Sequence, residues 1–177
     1  MVLGHGAGGG VSAPDLVAAT ETARAAAVTV ALVEQPYRVA GRRSPAPAPQ
    51  LDAAWSAVVS QLRAGALEGL PLIAGGRSSG ARVACRTAAG TGAIAVLCLA
   101  FPLHPPGRPE KTRLGELEAV DAPVLIVQGE SDPFGMPPPA PRREVVRLRG
   151  NHSLRSDAPA LREAVGCWLE RVLSARA

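Results

Sequence analysis

A serine between glycines is the residue of this chain best suited by its context to act as a nucleophile. Gly76-Arg-Ser78-Ser-Gly80 fits the pattern G-x-S-x-G, follows an aliphatic run at 71–74 and precedes a segment with helical spacing. That order is typical of a sharp strand-to-helix turn, which exposes the serine hydroxyl in strained backbone and needs small neighbours. An ordinary glycine- and serine-rich turn is the alternative. The pattern predicts Ser78 as a nucleophile, provided that a base and an acid accompany it.

An acid and a base follow two later aliphatic runs. Asp132 comes shortly after residues 124–127, where a carboxylate can accept a histidine ring N–H and fix its orientation. An Asp-Pro turn is the alternative for Asp132, and Glu130 is a second candidate acid. His152 follows residues 144–148, in the loop where a general base for a serine is expected. The sequence thus predicts a triad of Ser78, Asp132 and His152.

A glycine-rich loop, LGHGAGGG, follows the first short aliphatic run and can supply backbone donors. A tetrahedral intermediate needs preorganised N–H groups aimed at its oxyanion, and glycines let a backbone approach closely. We expect the amides of Ala7 and Ser79 to form this oxyanion hole, with Gly8 as the alternative to Ala7. His5 is then a structural residue that orients the loop.

The same loop also fits a dinucleotide-binding pattern. Gly4 to Gly9 read G-x-G-x-x-G, and Glu34 ends the next aliphatic run, where an acid that binds a ribose would lie. Two features oppose this interpretation. Only three residues precede Gly4, and Pro14 places the start of the next helix about four residues beyond Gly9.

Arg77 precedes the candidate nucleophile and has two possible roles. Its guanidinium could bind a substrate carboxylate through two hydrogen bonds, or it could pair with a neighbouring acid such as Glu34. We favour the ion pair, because arginine is the preferred partner in partly buried pairs. His104 lies in the loop before residue 124, and we expect it to be structural.

The elements that position these residues alternate in type. Six short aliphatic runs are predicted to be parallel strands: 1–3, 29–33, 71–74, 94–99, 124–127 and 144–148. Segments with helical spacing lie between them: 14–26, 51–62, 79–89, a short one near 114–120, and a last one after Asp157. The fold class is therefore α/β, with a parallel sheet flanked by helices and no room for a cap domain.

Composition limits the classes of protein that this chain can represent. With 177 residues, 47% hydrophobic and 19% charged, it fits one globular domain over residues 1–177 and is too short for a (β/α)8 barrel. The net charge of +4 comes from scattered arginines with few aromatic residues, so we expect no nucleic-acid partner. No run approaches the length of a membrane span, and the start does not resemble a secretory signal. We expect a cytoplasmic monomer or homodimer that acts on a small molecule without metal or cofactor.

Three cysteines complete the inventory of reactive groups. Cys85, Cys98 and Cys167 lie far apart among apolar residues, without the spacing of a zinc site or a disulfide framework. We expect all three to be small buried thiols.

Four segments together carry a family resemblance: LGHGAGGG, GGRSSGAR, VQGESDPFG and GNHSL. They resemble a small bacterial branch of the α/β-hydrolase superfamily, similar to dienelactone-hydrolase-like proteins and to the family of testis-expressed protein 30 and NSL-complex subunit 3. The resemblance implies Ser78 as nucleophile, Asp132 as acid and His152 as base. Dienelactone hydrolases proper use a cysteine nucleophile, so their substrate is not implied. NSL-complex subunit 3 is part of a chromatin complex, so the resemblance also allows an alternative, a catalytically weak interaction module.

One departure from the superfamily concerns the start of the chain. The usual sheet has further strands before the glycine-rich loop, whereas this chain begins almost at that loop. We expect six strands, with 29–33 exposed as an apolar edge beside 1–3 and the rest following in chain order on the other side. A start codon placed too far downstream, or a partner that covers the edge, would account for this.

Overall fold

The computed structural model describes residues 1–175 and contains one six-stranded parallel sheet. Its strands are β1 (Val2–Gly4), β2 (Ala31–Val33), β3 (Leu72–Arg77), β4 (Ala93–Leu99), β5 (Val124–Gly129) and β6 (Arg143–Leu148). All six predicted strands are present. β3 and β5 extend beyond their predicted ends at 74 and 127, because glycines near the ends of both strands continue the ladder although they carry no side chain to signal it. β2 is shorter than the predicted 29–33.

The strand order is β2-β1-β3-β4-β5-β6, which confirms the predicted arrangement. β1 is only three residues long, yet it pairs with both neighbours and places Gly4 beside Gly76. β2 is the edge strand, and Leu32 in its centre is 38% exposed. Since all strands are parallel, their carboxyl ends share one edge of the sheet, and the loops with the predicted functional residues lie along that edge.

Helices cover both faces of the sheet. They are α1 (Pro14–Ala25), α2 (Pro36–Val39), α3 (Ala48–Arg63), α4 (Ser79–Thr91), α5 (Leu114–Glu118) and α6 (Ala158–Ser174). α2 was not predicted, because four residues are too few to show a helical period. Asp157 caps α6 as predicted, its carboxylate accepting from Ala160 N at 3.1 Å. Across residues 1–175, no helix has both the length and the apolar character that crossing a membrane requires.

Two apolar layers hold the helices against the sheet. Alternate residues of a strand point to opposite faces, so Val96 and Cys98 of β4 pack with α3 and α4, while Leu97 and Leu99 pack with α1 and α6. Trp55 of α3 is 1% exposed. The central strands are therefore buried on both sides, which explains why their sequences are almost continuously apolar.

The cysteines divide between the core and the surface. Cys85 and Cys98 are buried as predicted, with their sulfur atoms 3.5 Å apart. The hydrogen bond between Cys98 and Cys85, followed by burial, raises the pKa of the Cys98 thiol well above its ordinary value. The prediction for Cys167 was wrong, because this residue is exposed. It lies off the buried stripe of α6, which Leu161, Val165, Trp168 and Leu169 form.

Candidate active site

Ser78 lies at a sharp turn between β3 and α4. Its backbone has φ 51° and ψ −110°, a conformation that L-residues rarely adopt and that is found where the surrounding structure imposes it. The Ser78 amide donates to the carbonyl of Leu99 at 2.8 Å, so the ladder with β4 holds the turn from one side. The Ser78 carbonyl accepts from Arg82 N at 3.2 Å, which ties the turn to the first turn of α4.

The glycines on either side of the turn are required by close backbone contact. A Cβ atom on Gly76 would lie 2.4 Å from the carbonyl oxygen of Gly4, and one on Gly80 would lie 2.3 Å from the same oxygen. The end of β1 thus presses directly on the turn that carries Ser78. The spacing G-x-S-x-G therefore reflects the space available between β1 and α4 as well as the strain at the serine.

A chain of two hydrogen bonds joins Ser78, His152 and Asp132. His152 Nε2 is 2.9 Å from Ser78 Oγ, and His152 Nδ1 is 2.8 Å from Asp132 Oδ2. The side chain of Asp132 is 1% exposed and that of His152 is 17% exposed, so the acid is shielded while the imidazole remains partly accessible. A histidine that donates through Nδ1 to a carboxylate leaves Nε2 free to accept a proton from a hydroxyl. The three predicted residues lie together in the geometry that proton transfer from a serine requires.

Gln128, a residue that sequence reasoning missed, supports the acid of this chain. Its Nε2 donates to Asp132 Oδ2 at 2.8 Å and also contacts the carbonyl oxygens of Phe101 and Gly135 at 3.1 and 2.9 Å. Asp132 Oδ1 accepts from the amide of Phe134 at 2.9 Å. Gln128 is fully buried, and a polar residue near the end of the otherwise apolar β5 was the signal that could have found it.

The imidazole also rests against an aromatic ring. The rings of Phe134 and His152 have centroids 4.3 Å apart and planes 35° apart. Phe134 lies two residues after Asp132, so the turn that holds the carboxylate also supplies one wall for the histidine. Together these contacts restrict the rotamers that His152 can adopt.

The glycine-rich loop after β1 is fixed by His5, as predicted. His5 is fully buried; its Nε2 accepts from Gln35 N at 2.9 Å, and its Nδ1 lies 2.8 Å from the carbonyl oxygen of Gly6. Since a trans peptide is planar with its N–H opposite its C=O, a bond to the Gly6 carbonyl also fixes the direction of the Ala7 N–H. His5 therefore orients the Ala7 amide, which is predicted to belong to the oxyanion hole.

The two predicted oxyanion donors flank the serine from different elements. A Cβ on Gly6 would lie 3.3 Å from Ser78 Cβ, so the loop that carries Ala7 contacts the nucleophile directly. Ser79 is the first residue of α4, where an amide has no partner within its own helix. Within residues 1–175, the amides of Ala7 and Ser79 donate to no protein acceptor. Both are therefore available to a ligand oxygen.

Arg77 forms an ion pair as predicted, but its partner is Asp15 and not Glu34. Arg77 Nε lies 2.7 Å from Asp15 Oδ2, and Arg77 Nη2 donates to the backbone carbonyl of His152 at 3.0 Å. Glu34 is exposed. Asp15 lies in the first turn of α1 and is brought to Arg77 by packing between distant segments, which no local sequence signal reveals. The alternative role of Arg77 as a substrate-carboxylate site loses support, because these contacts occupy two of its nitrogens.

The remaining candidates lie away from the proton-transfer chain. Glu130 is exposed, and the carboxylate that contacts His152 belongs to Asp132. His104 packs on the turn after Asp132: a Cβ on Gly135 would lie 2.4 Å from His104 Nε2, which agrees with the predicted structural role.

The structure offers little support for a dinucleotide or metal site. A Cβ on Gly9 would meet nothing within 4 Å, so this glycine does not provide the close helix–strand packing that the third glycine of a dinucleotide fingerprint provides. In the part of the chain that the structure describes, no three residues among His, Cys, Asp and Glu are grouped as metal ligands would be.

A parallel sheet with a strained serine at a strand-to-helix turn, and with an acid and a histidine on later loops, defines a hydrolase fold of the α/β class. A family model described as alpha/beta hydrolase domain matches residues 1–155. The chain belongs to this family. No curated protein sequence gives a significant match.

Solved structures with the same fold share little sequence with this chain. Est1E from Butyrivibrio proteoclasticus, solved with ferulic acid bound, is 18% identical with a TM-score of 0.77, covering 98% of this chain and 88% of its own. An α/β serine hydrolase without a lid from Xanthomonas campestris is 20% identical with a TM-score of 0.74, covering 96% and 81%. An α/β serine hydrolase homologue from Coxiella burnetii is 16% identical with a TM-score of 0.74, covering 95% and 83%. At these identities the likeness concerns the fold.

Proposed function

We propose that this hydrolase cleaves small carboxylic esters through a Ser78–His152–Asp132 triad and an acyl-enzyme intermediate. The observation that carries the proposal is the hydrogen-bonded chain from Ser78 Oγ through His152 to Asp132, at 2.9 and 2.8 Å. Each residue comes from a different loop, so local sequence preferences alone do not account for the alignment.

In the proposed first step, Ser78 Oγ attacks the ester carbonyl carbon while His152 Nε2 takes the hydroxyl proton. Asp132 stabilises the imidazolium that forms, and the amides of Ala7 and Ser79 donate to the oxyanion. When the tetrahedral intermediate collapses, the bond to the alkoxide breaks and His152 gives its proton to that leaving group. The acyl group remains bonded to Ser78.

In the second step, water attacks the acyl-serine while His152 again accepts a proton. The second tetrahedral intermediate collapses, Ser78 recovers its proton from His152, and the carboxylic acid leaves. This sequence needs no metal or cofactor, and every proton moves through one nitrogen of His152.

Small substrates are favoured by the architecture around the site. Residues 1–175 form no extra cap domain over the carboxyl edge of the sheet, and the connection between β4 and β5 holds only the short helix α5. Structures of similar fold include a serine hydrolase without a lid and Est1E with ferulic acid bound. We therefore propose short acyl or aryl esters as the substrate class. The resemblance of the four motif segments supports a further proposal, that the chain is related to the dienelactone-hydrolase-like branch, with serine in place of cysteine.

Hydrolysis of p-nitrophenyl butyrate by wild type and by Ser78→Ala tests the proposal. If the triad acts as a unit, Ser78→Ala should lower kcat by a factor of about 10⁶, which is the loss expected when a catalytic triad is disabled. Ser60→Ala on the exposed face of α3 is the control and should hydrolyse the ester like wild type. A Ser78→Ala variant that keeps most of the activity would refute the assignment.

Inactivity of a folded wild type towards esters, together with its failure to react with a fluorophosphonate, would favour the interaction module instead.

A further inference from the structure

Arg77 links three segments that carry parts of the candidate active site. It is the last residue of β3, next to Ser78, and its side chain is 17% exposed. Its Nε pairs with Asp15 at 2.7 Å, and its Nη2 donates to the backbone carbonyl of His152 at 3.0 Å. Its Nη1 faces the glycine-rich loop, since a Cβ on Gly6 would lie 2.8 Å from that nitrogen. One guanidinium thus lies between the glycine-rich loop, the first turn of α1 and the loop that carries His152.

Asp15 is the acid that holds this guanidinium in place. Its side chain is fully buried, and its Oδ1 accepts from Leu16 N at 2.9 Å. Burial raises the pKa of Asp15, while the charge of Arg77 opposes that shift. A buried carboxylate of this kind is costly without its partner, so the ion pair constrains both side chains.

The contact with the His152 carbonyl restrains the middle of a loop that is anchored on both sides: Gly150 O accepts from Ser131 N at 2.9 Å, and Leu154 is buried. Between these two anchors the loop is more open to solvent. Asn151 is exposed, and the two hydrogen bonds that Ser153 makes to it do not reach the sheet. Asp132 holds the imidazole of His152, whereas Arg77 holds its backbone. Two separate attachment points fix the direction in which Nε2 faces Ser78.

We propose that Arg77, held by Asp15, is a positioning residue for His152, and that it does not bind substrate. This inference rests on the proposed hydrolase function. We call the set of Asp15, Arg77 and the carbonyl oxygen of His152 the arginine clamp. Loosening the clamp lets the imidazole leave its alignment with Ser78 Oγ, and a misplacement of about 1 Å at a reacting group can cost a factor of about 10² in rate.

Kinetics with two matched esters separate positioning from substrate binding. p-Nitrophenyl butyrate is neutral, and mono-p-nitrophenyl succinate adds a carboxylate at the far end of the acyl chain. Arg77→Met should lower kcat by about 10- to 100-fold on both esters, with KM changed by less than about threefold. Arg77→Lys should recover only part of the rate, because an ammonium cannot span both contacts as a planar fork can.

Two further variants control for folding and for charge. The double variant Asp15→Leu/Arg77→Met removes the clamp without leaving a buried charge unpaired, which buried ion pairs often tolerate. It should keep a cooperative unfolding transition and still show the lower kcat. Arg162→Met breaks the exposed pair between α6 and Glu21 of α1 and should leave both kcat values unchanged.

Proton NMR gives a readout that does not need turnover. Wild type should show a downfield resonance from the His152 Nδ1 proton, which is hydrogen-bonded to Asp132. In the folded double variant this resonance should broaden or disappear. If wild type hydrolyses neither ester, the hydrolase proposal fails while this spectrum still tests the clamp.

The clamp is overturned if the double variant keeps wild-type kcat on the neutral ester, or keeps a sharp Nδ1 proton resonance. It is also overturned if KM rises for the succinate ester alone, since that result assigns Arg77 to the substrate.

Discussion

Replacement of Gly80 by alanine should damage the active site even though alanine is the better helix former. A Cβ at this position would lie 2.3 Å from the carbonyl oxygen of Gly4, 2.5 Å from its carbonyl carbon and 2.8 Å from the carbonyl oxygen of His5. All three atoms are backbone, so no side chain can rotate away.

The size of the effect follows from the distance that the backbone must move. Cβ atoms in proteins essentially never come within 3.0 Å of such atoms, so α4 and the end of β1 must separate by at least ~0.7 Å. That displacement moves the loop that carries Ala7 relative to Ser78. We expect kcat/KM to fall by about 10- to 100-fold and the free energy of unfolding to fall by about 1–3 kcal/mol.

Gly90→Ala in the same helix is the matched control. A Cβ there meets nothing within 4 Å, and the position is exposed near the end of α4. The substitution should raise the free energy of unfolding by about 0.5–1 kcal/mol, because alanine loses less backbone freedom on folding. Its kcat/KM should match that of wild type.

Ester hydrolysis and urea unfolding of the two variants measure both effects. The same glycine-to-alanine substitution at two positions of α4 is expected to change the stability in opposite directions. Only the substitution at Gly80 should lower the activity. A Gly80→Ala variant with wild-type kcat/KM would show that β1 does not press on the turn as described.

Two further predictions concern buried polar groups near the site. Gln128→Leu removes the donor to Asp132. Urea unfolding should show a free energy of unfolding lower by about 1.5–3 kcal/mol, and ester kinetics should show a lower kcat with KM nearly unchanged. An unchanged kcat would contradict the positioning role of Gln128. Burial raises the pKa of Asp15, so its ionisation in the folded state costs free energy at neutral pH, and this cost is lost as the pH falls towards the ordinary value of 3.8. Wild type should therefore gain stability relative to Asp15→Asn between about pH 7 and 4 in urea titrations; a relative loss would contradict the direction of the shift.

Much of the fold and the proposed proton-transfer chain could be predicted from local pattern and order. Buried parallel strands read as aliphatic runs, and the loop after each run must lie at the carboxyl edge of the sheet. From that rule alone, Ser78, Asp132 and His152 are predicted to lie together. The role of His5 followed from its position in a loop that must present backbone amides.

The residues that the sequence did not reveal act through contacts between distant segments. Asp15 meets Arg77 only because α1 packs over the end of β3, and Glu34 looked equally suitable from chain order. Gln128 reads as one polar residue in an apolar strand, without any indication of the carboxylate that it serves. The burial of Cys167 was misjudged because its neighbours are apolar while its own direction on α6 is outward.

Mass spectrometry of the protein after reaction with a fluorophosphonate tests the central claim most directly. Trypsin cuts after Arg77 and Arg82, so the nucleophile lies in a five-residue peptide with two serines, and fragmentation tells Ser78 from Ser79. The account predicts one phosphonyl group per chain, carried by Ser78 and absent from the folded Ser78→Ala variant. A folded wild type that takes up no label, or that carries it on another residue, would contradict the account.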